Sequence, residues 1–199
     1  MVLRGCHLGL RWGIDLDGVL AQFNPAFRQL LVEQTGRDLW TYHADPPIWD
    51  WPEALGYFAE ELDAAWEAVC LTPFWVDKVE AYPGVDTFLH QLDSHPDDVL
   101  YFITSRVGPR AKHYTECWLR QVGVRNPTVL MAEAADKPLL VEGLRLGVFV
   151  DDHLLTCLRT AQACPRCHVY VLNHGWNQGE AEGVARVDSL LEILEREGI

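Results

Sequence analysis

The chain has 199 residues, of which 49% are hydrophobic and 23% charged, and its net charge at pH 7 is −13. That length suits one main domain with a modest insertion. An acidic surface repels nucleic-acid polymers and anionic membranes, and no run of Lys and Arg offers a local exception. A small anionic ligand remains compatible, because a metal ion and a few placed cations reverse the local field.

No apolar stretch approaches the roughly 18 residues of a membrane span. Met1 to Trp12 carries Arg4, His7 and Arg11 and lacks an unbroken apolar core and a small-residue cleavage site, so no signal peptide is expected and a cytoplasmic location is. The six cysteines show no disulfide-framework spacing and are expected to stay reduced.

Strand and helix signals alternate. Leu10 to Asp15 reads as a buried strand, followed by a helix over Pro25 to Gln34. A helix over Pro83 to Leu92, with Pro83 in its first turn, precedes the apolar run Val99 to Ile103. A helix over Arg110 to Val122 and a short strand over Thr128 to Met131 come next, then a strand over Leu146 to Val150. A helix over His153 to Ala163, a strand over His168 to Leu172 and a helix over Val187 to Arg196 complete the chain. Continuously apolar strands separated by helices predict a doubly wound parallel α/β sheet covered on both faces. Ligands of such sheets bind beyond the carboxyl ends of the strands.

One stretch breaks the rhythm. Residues 36–78 contain Pro46, Pro47 and Pro52 and one expected helix over Ala54 to Val69, with five of the eight tryptophans: Trp40, Trp49, Trp51, Trp66 and Trp75. We read 36–78 as a small helical cap over the sheet's carboxyl edge, and 1–35 with 79–199 as the core.

The acidic residues fall at strand ends. In Asp15-Leu16-Asp17-Gly18, alternation points Asp15 and Asp17 the same way, and Gly18 permits a sharp turn. Asp151-Asp152 follows another apolar strand. Converging carboxylates repel unless a cation lies between them, and hard oxygen ligands suit Mg²⁺. Thr104 and Ser105 close a third strand with hydroxyls suited to phosphate oxygens, and Lys137 supplies a point cation.

In this order the residues resemble the four motifs of the haloacid dehalogenase (HAD) superfamily: Asp15 to Gly18, then Thr104 or Ser105, then Lys137, then Asp151-Asp152. The resemblance implies a Rossmann-like core with a cap and a Mg²⁺-dependent hydrolase that forms an aspartyl-phosphate. Asp15 is then the nucleophile and Asp17 the general acid and base. The metal is held by Asp15, the Asp17 carbonyl and one of Asp151 and Asp152. Within the superfamily, Asp15 to Phe23 (DLDGVLAQF), Ile48-Trp49-Asp50, Ala65-Trp66-Glu67, Phe74-Trp75 and Pro83-Gly84 are similar to segments of the 5′(3′)-deoxyribonucleotidases. That likeness implies that Phe23 and Trp66 contact a nucleoside and that Trp49 lines a base pocket. It makes a nucleoside monophosphate the expected partner, with homodimerisation left open. Two positions depart from the family. Ala135 stands where the family has an arginine, and Arg106 stands where a proline is usual, so Arg106 is expected to replace the lost phosphate-binding cation.

The other readings are a phosphatase for another small phosphoester, such as a sugar phosphate, and a catalytically silent nucleotide-binding protein. Cys164-Pro165-Arg166-Cys167-His168 has the spacing of a haem attachment site and, with Cys157, part of a zinc set, but free thiols beside a strand are the expectation. His174 to Asn177 is a polar loop at the same sheet edge and is not placed among the site residues.

Overall fold

The computed structural model describes residues 9–43 and 45–199; Cys6 and most of the N-terminal stretch read as lacking a leader lie outside the described residues. Six parallel strands form one sheet. They are β1 (Arg11–Ile14), β2 (Val99–Thr104), β3 (Val129–Met131), β4 (Val148–Asp151), β5 (His168–Leu172) and β6 (Ala185–Val187), in the order β3-β2-β1-β4-β5-β6. The doubly wound parallel architecture read from the apolar strands is therefore the one observed. Central β1 pairs Ile14 with Phe102 on one side and with Val150 on the other, so three strands end side by side. The strand order reverses at β1, which makes the carboxyl ends of β1 and β4 the topological switch point where ligands of such sheets bind.

Helices cover the sheet: α1 (Phe23–Thr35), α2 (Trp51–Leu55), α3 (Ala59–Leu71), α4 (Phe74–Lys78), α5 (Val85–Asp93), α6 (Ala111–Gln121), α7 (Lys137–Leu144), α8 (Leu154–Ala163) and α9 (Leu190–Glu197). The core centres on β1, β2 and β4, where Trp12, Ile14, Phe102, Val148 and Val150 are fully enclosed. A second apolar cluster, Ile103, Val141, Phe149, Val169 and Val171, fills the space under α7 and α8.

The structure corrects several sequence expectations. The single helix expected over 54–69 is two, because Gly56 at φ 91° ends α2 and a new helix begins at Ala59, where the Glu61 carboxylate accepts the Phe58 N–H. Pro83 lies outside the first turn of α5, which is N-capped by Gly84 at φ 85°. Helix α7 and strand β6 were not foreseen. No helix among the described residues is long and apolar enough to cross a membrane.

Candidate active site

The turn after β1 sets the geometry. Gly18 has φ 81°, a left-handed conformation that L side chains rarely adopt, and a Cβ placed on it would lie 2.2 Å from Asp152 Oδ2. The turn is closed by the Gly18 N–H donating to the Ala21 carbonyl, and the N–H groups of Leu20 and Ala21 both donate to the Leu16 carbonyl. Asp15 extends the β1–β4 ladder by donating its N–H to the Val150 carbonyl, which carries its carboxylate to the end of β4.

There Asp15, Asp151 and Asp152 each present a carboxylate oxygen within 4.8 Å of the others, and all three are buried. Lys137, on the first residue of α7, reaches between them with its Nζ 2.8 Å from Asp15 Oδ1 and 2.8 Å from Asp151 Oδ2. Its pKa is raised: burial opposes its charge, but the Asp15 and Asp151 carboxylates outweigh that. Asp151 also accepts the His153 N–H at 2.8 Å, and Asp152 accepts the Trp176 indole N–H at 2.9 Å.

Three buried carboxylates against one ammonium leave excess negative charge, and the proton affinities record it. Asp15 is pushed up to about 7, chiefly by burial, with Lys137 working against the rise and the charges of Asp151 and Asp17 adding to it. Asp152 is also raised, first by burial and then by Asp151 and Asp15. Three carboxylate oxygens converge beside one ammonium, and an all-oxygen donor set is what Mg²⁺ takes. The residues fit that ion.

Asp17 and Arg106 are the second feature. The Arg106 Nε and Nη2 donate to the two Asp17 oxygens at 2.9 and 2.8 Å, a fork-to-carboxylate pair. The guanidinium side chain is wholly buried and lies over the indoles of Trp75 and Trp118, 5.2 and 5.4 Å from their centroids. Expected as a phosphate-binding cation, Arg106 is found holding Asp17. Thr104, buried at the end of β2, turns its hydroxyl toward the Arg106 N–H at 3.4 Å, and the exposed Ser105 donates to the Ala132 carbonyl at 2.9 Å.

Above these groups lies a cavity of about 480 Å³ that reaches from Asp15, Asp17 and Lys137 to the aromatic rings of the 36–78 segment. Phe23, Trp49 and Trp66 all line it. Phe23 stacks on Phe27 and Trp66 at centroid distances of 5.3 and 5.6 Å. Trp66 is 43% exposed and Trp49 58% exposed, whereas Trp51 and Trp75 are buried. Trp49 and Trp66 are therefore the most exposed tryptophans of the segment, with Trp40 half-buried.

The loop after β5 joins the site, which the sequence had not established. His174 is stacked on Trp176 at 4.1 Å, bonds the Gly18 carbonyl through Nε2 at 2.7 Å, and bonds Asp45 through Nδ1. Asn177 donates to the carbonyls of Asp152 and Leu172, both at 2.7 Å. The sequence signals for this loop were its position beyond an apolar strand and its likeness to a His- or Asn-containing loop of similar family members. Among the described residues no cysteine joins a metal-type grouping. Cys157 Sγ faces the carbonyls of Asp151 and Tyr170, Cys164 faces Pro138, and Cys167 faces His168. Among the described residues the Asp15, Asp151 and Asp152 trio is the one metal-type grouping.

No family model and no curated protein matches the sequence. Solved structures do match. A haloacid dehalogenase-like family hydrolase from Streptococcus pneumoniae is 14% identical with a TM-score of 0.58, over 95% of this chain and 98% of that one. A protein described as a predicted phosphoglycolate phosphatase from Haemophilus somnus is 17% identical with a TM-score of 0.58, over 97% and 100%. A protein named for β-phosphoglucomutase from Thermotoga maritima is 19% identical with a TM-score of 0.59, over 95% and 98%. The fold is that of the haloacid dehalogenase-like hydrolases. At these identities the likeness speaks for the HAD-like fold and its arrangement of strands, and the chemistry has to be argued from this chain's own side chains.

Proposed function

We propose that the chain is a Mg²⁺-dependent phosphomonoester hydrolase acting on a small substrate through an aspartyl-phosphate. The observation that carries this reading is the convergence of Asp15, Asp151, Asp152 and Lys137 at the switch point, beneath a cavity open to solvent. The residues to hold the metal are Asp15, the Asp17 backbone carbonyl, and Asp151 and Asp152. When bound, the metal supplies positive charge that keeps Asp15 ionised and offsets the charge of the phosphoryl oxygens.

An Asp15 oxygen attacks phosphorus, the bond from phosphorus to the alcohol oxygen breaks, and the phosphoryl group stays on Asp15. Lys137 neutralises the nucleophile and the incoming dianion together, with the Thr104 and Ser105 hydroxyls near the phosphoryl oxygens. Asp17 gives its proton to the leaving alkoxide, then takes one from the water that cleaves the acyl phosphate. A carboxylate gripped by both arms of Arg106 has no proton to give, so this role requires Asp17 to turn out of the ion pair toward the cavity. Residues 36–78 act as the cap that encloses the alcohol, on a core of 1–35 and 79–199.

The name of the β-phosphoglucomutase neighbour favours a small sugar phosphate over a nucleotide. The open indole surfaces of Trp49 and Trp66 support the second reading, a nucleoside monophosphate whose base stacks there, with Phe23 beneath Trp66. Stacking of this kind is worth about 1–3 kcal/mol per base in single-strand binders. The test is phosphate release from sugar monophosphates and nucleoside monophosphates, with Mg²⁺ and with chelator, beside Asp15→Asn. Metal-dependent release that is lost in the variant supports the hydrolase, and the faster substrate group chooses between the readings. Release that persists in Asp15→Asn sinks the aspartyl-phosphate route.

A further inference from the structure

The charges lining the cavity limit what the alcohol part of the substrate can carry. Six carboxylates line it: Asp15, Asp17, Asp50, Glu53, Asp151 and Asp152. The lysine and arginine that face them, Lys137 and Arg106, are both already paired, the first with Asp15 and Asp151 and the second with Asp17. Arg106 also lies over the indole rings of Trp75 and Trp118. Asp50 and Glu53 belong to the 36–78 segment, next to Trp49 and Trp51 in the chain, and neither is paired with a lysine or arginine among the described residues.

A phosphate dianion at Asp15 has Lys137 and the metal to receive it. A second anionic group on the same molecule has no lysine or arginine of the lining left to meet and approaches the exposed, unpaired carboxylates of Asp50 and Glu53. Like charges brought together in a partly enclosed space are a means of rejecting ligands. The open indole faces of Trp49 and Trp66 work the other way, since an aromatic face attracts a cation and accepts a flat or apolar group.

On the hydrolase reading above, we propose that this enzyme selects monoesters whose alcohol part is flat or apolar and neutral or cationic. The same charges reject esters that carry a second anion, whether a carboxylate, as in phosphoglycolate, or another phosphate. The specificity residues are Asp50 and Glu53 for charge, and Trp49 and Trp66 for shape.

Three aryl phosphates that differ in the para substituent test this with Mg²⁺ at neutral pH: methyl, aminomethyl (an ammonium) and carboxylate. The expected order of kcat/KM is aminomethyl at least equal to methyl, with carboxylate about tenfold below methyl, a size set by one like-charge interaction across a partly screened cavity. In an Asp50→Asn/Glu53→Gln variant the gap between the methyl and carboxylate esters should shrink to a few-fold at most. Equal turnover of the methyl and carboxylate esters by the unmodified chain, or a gap that persists in the variant, overturns the specificity proposal and leaves the hydrolase reading standing. No turnover of the methyl ester by folded, Mg²⁺-loaded protein removes the hydrolase reading and this proposal together.

Discussion

Gly18 and Arg106 show how far single side chains constrain this site. At Gly18 two independent demands coincide, a positive φ and contact with Asp152, so even a methyl group is excluded. Gly18→Ala is expected to cost about 1–3 kcal/mol in strain alone and more as Asp152 is displaced, read as a lower urea midpoint. An unchanged midpoint would show that the turn can relax. Arg106 makes a different prediction. Arg106→Lys keeps the positive charge but loses the fork and the guanidinium's contacts with the Trp75 and Trp118 rings. Asp17 is then held by one point charge at best and leaves the pair more easily, so kcat should be kept or raised with KM little changed, because Asp17 acts only after turning out of the pair. A rise in KM alone would instead return Arg106 to the phosphate-binding role expected from the sequence. That role was a reasonable reading of a basic residue after a Thr-Ser pair. The Asp17 pair itself was not legible for a physical reason: the two residues are far apart in the chain, and only the fold brings them to 2.8 Å.

Among the elements, those with a strong local signal were legible and those fixed by tertiary contact were not. β2, β4 and β5 are mainly apolar runs that are buried toward their carboxyl ends, and their sequence limits hold to within a residue or two. Helix α7 escaped notice because Pro138 and Gly143 both weaken a helical reading. In the structure Pro138 sits in the first turn, where its missing N–H costs nothing. Strand β6 is three residues long and exists because β5 offers it an edge. The acidic strand ends that form the metal-type trio were readable because apolar strands ending in Asp are a local pattern. The tie between the 36–78 segment and the core was not readable, since it joins Asp45, His174 and the Gly18 carbonyl. Packing reinforces it: a Cβ on Gly175 would meet the Pro46 carbonyl at 2.6 Å. His174→Ala removes both bonds and the stack on Trp176. Residues 41–50 should then be cut several-fold faster by a nonspecific protease while the global melting midpoint falls only modestly, as expected for local opening. Equal cleavage rates in both proteins would show that packing at Gly175 holds the loop without the histidine.

For the molecule as a whole, the −13 charge and the crowded carboxylates of the site work in the same direction. General self-repulsion is relieved by any salt, whereas the trio calls for a specific cation, and pH separates the two. The folded-state pKa of Asp15, about 7, lies above its ordinary 3.8, so the native chain binds this proton more tightly than the unfolded chain does. The stability that proton supplies is complete below 3.8, declines as pH rises through the window to about 7, and is absent above it. The raised Asp152 acts with the same sign. On the proposed metal site, Mg²⁺ would compete with these protons for the same oxygens. Its stabilisation should therefore be small near pH 5 and large near pH 8, reaching about 2.7 kcal/mol at a hundredfold excess over Kd, or roughly 5–10 °C in Tm for a domain of this size. The measurement is a set of melting curves at both pH values, with Mg²⁺ and with KCl at matched ionic strength, for the unmodified chain and for Asp151→Asn/Asp152→Asn. The double variant should keep the KCl response and lose the extra shift from Mg²⁺. A Mg²⁺ shift of equal size at both pH values, or one that survives in the variant, would assign the effect to surface screening and leave the trio without a cation of its own.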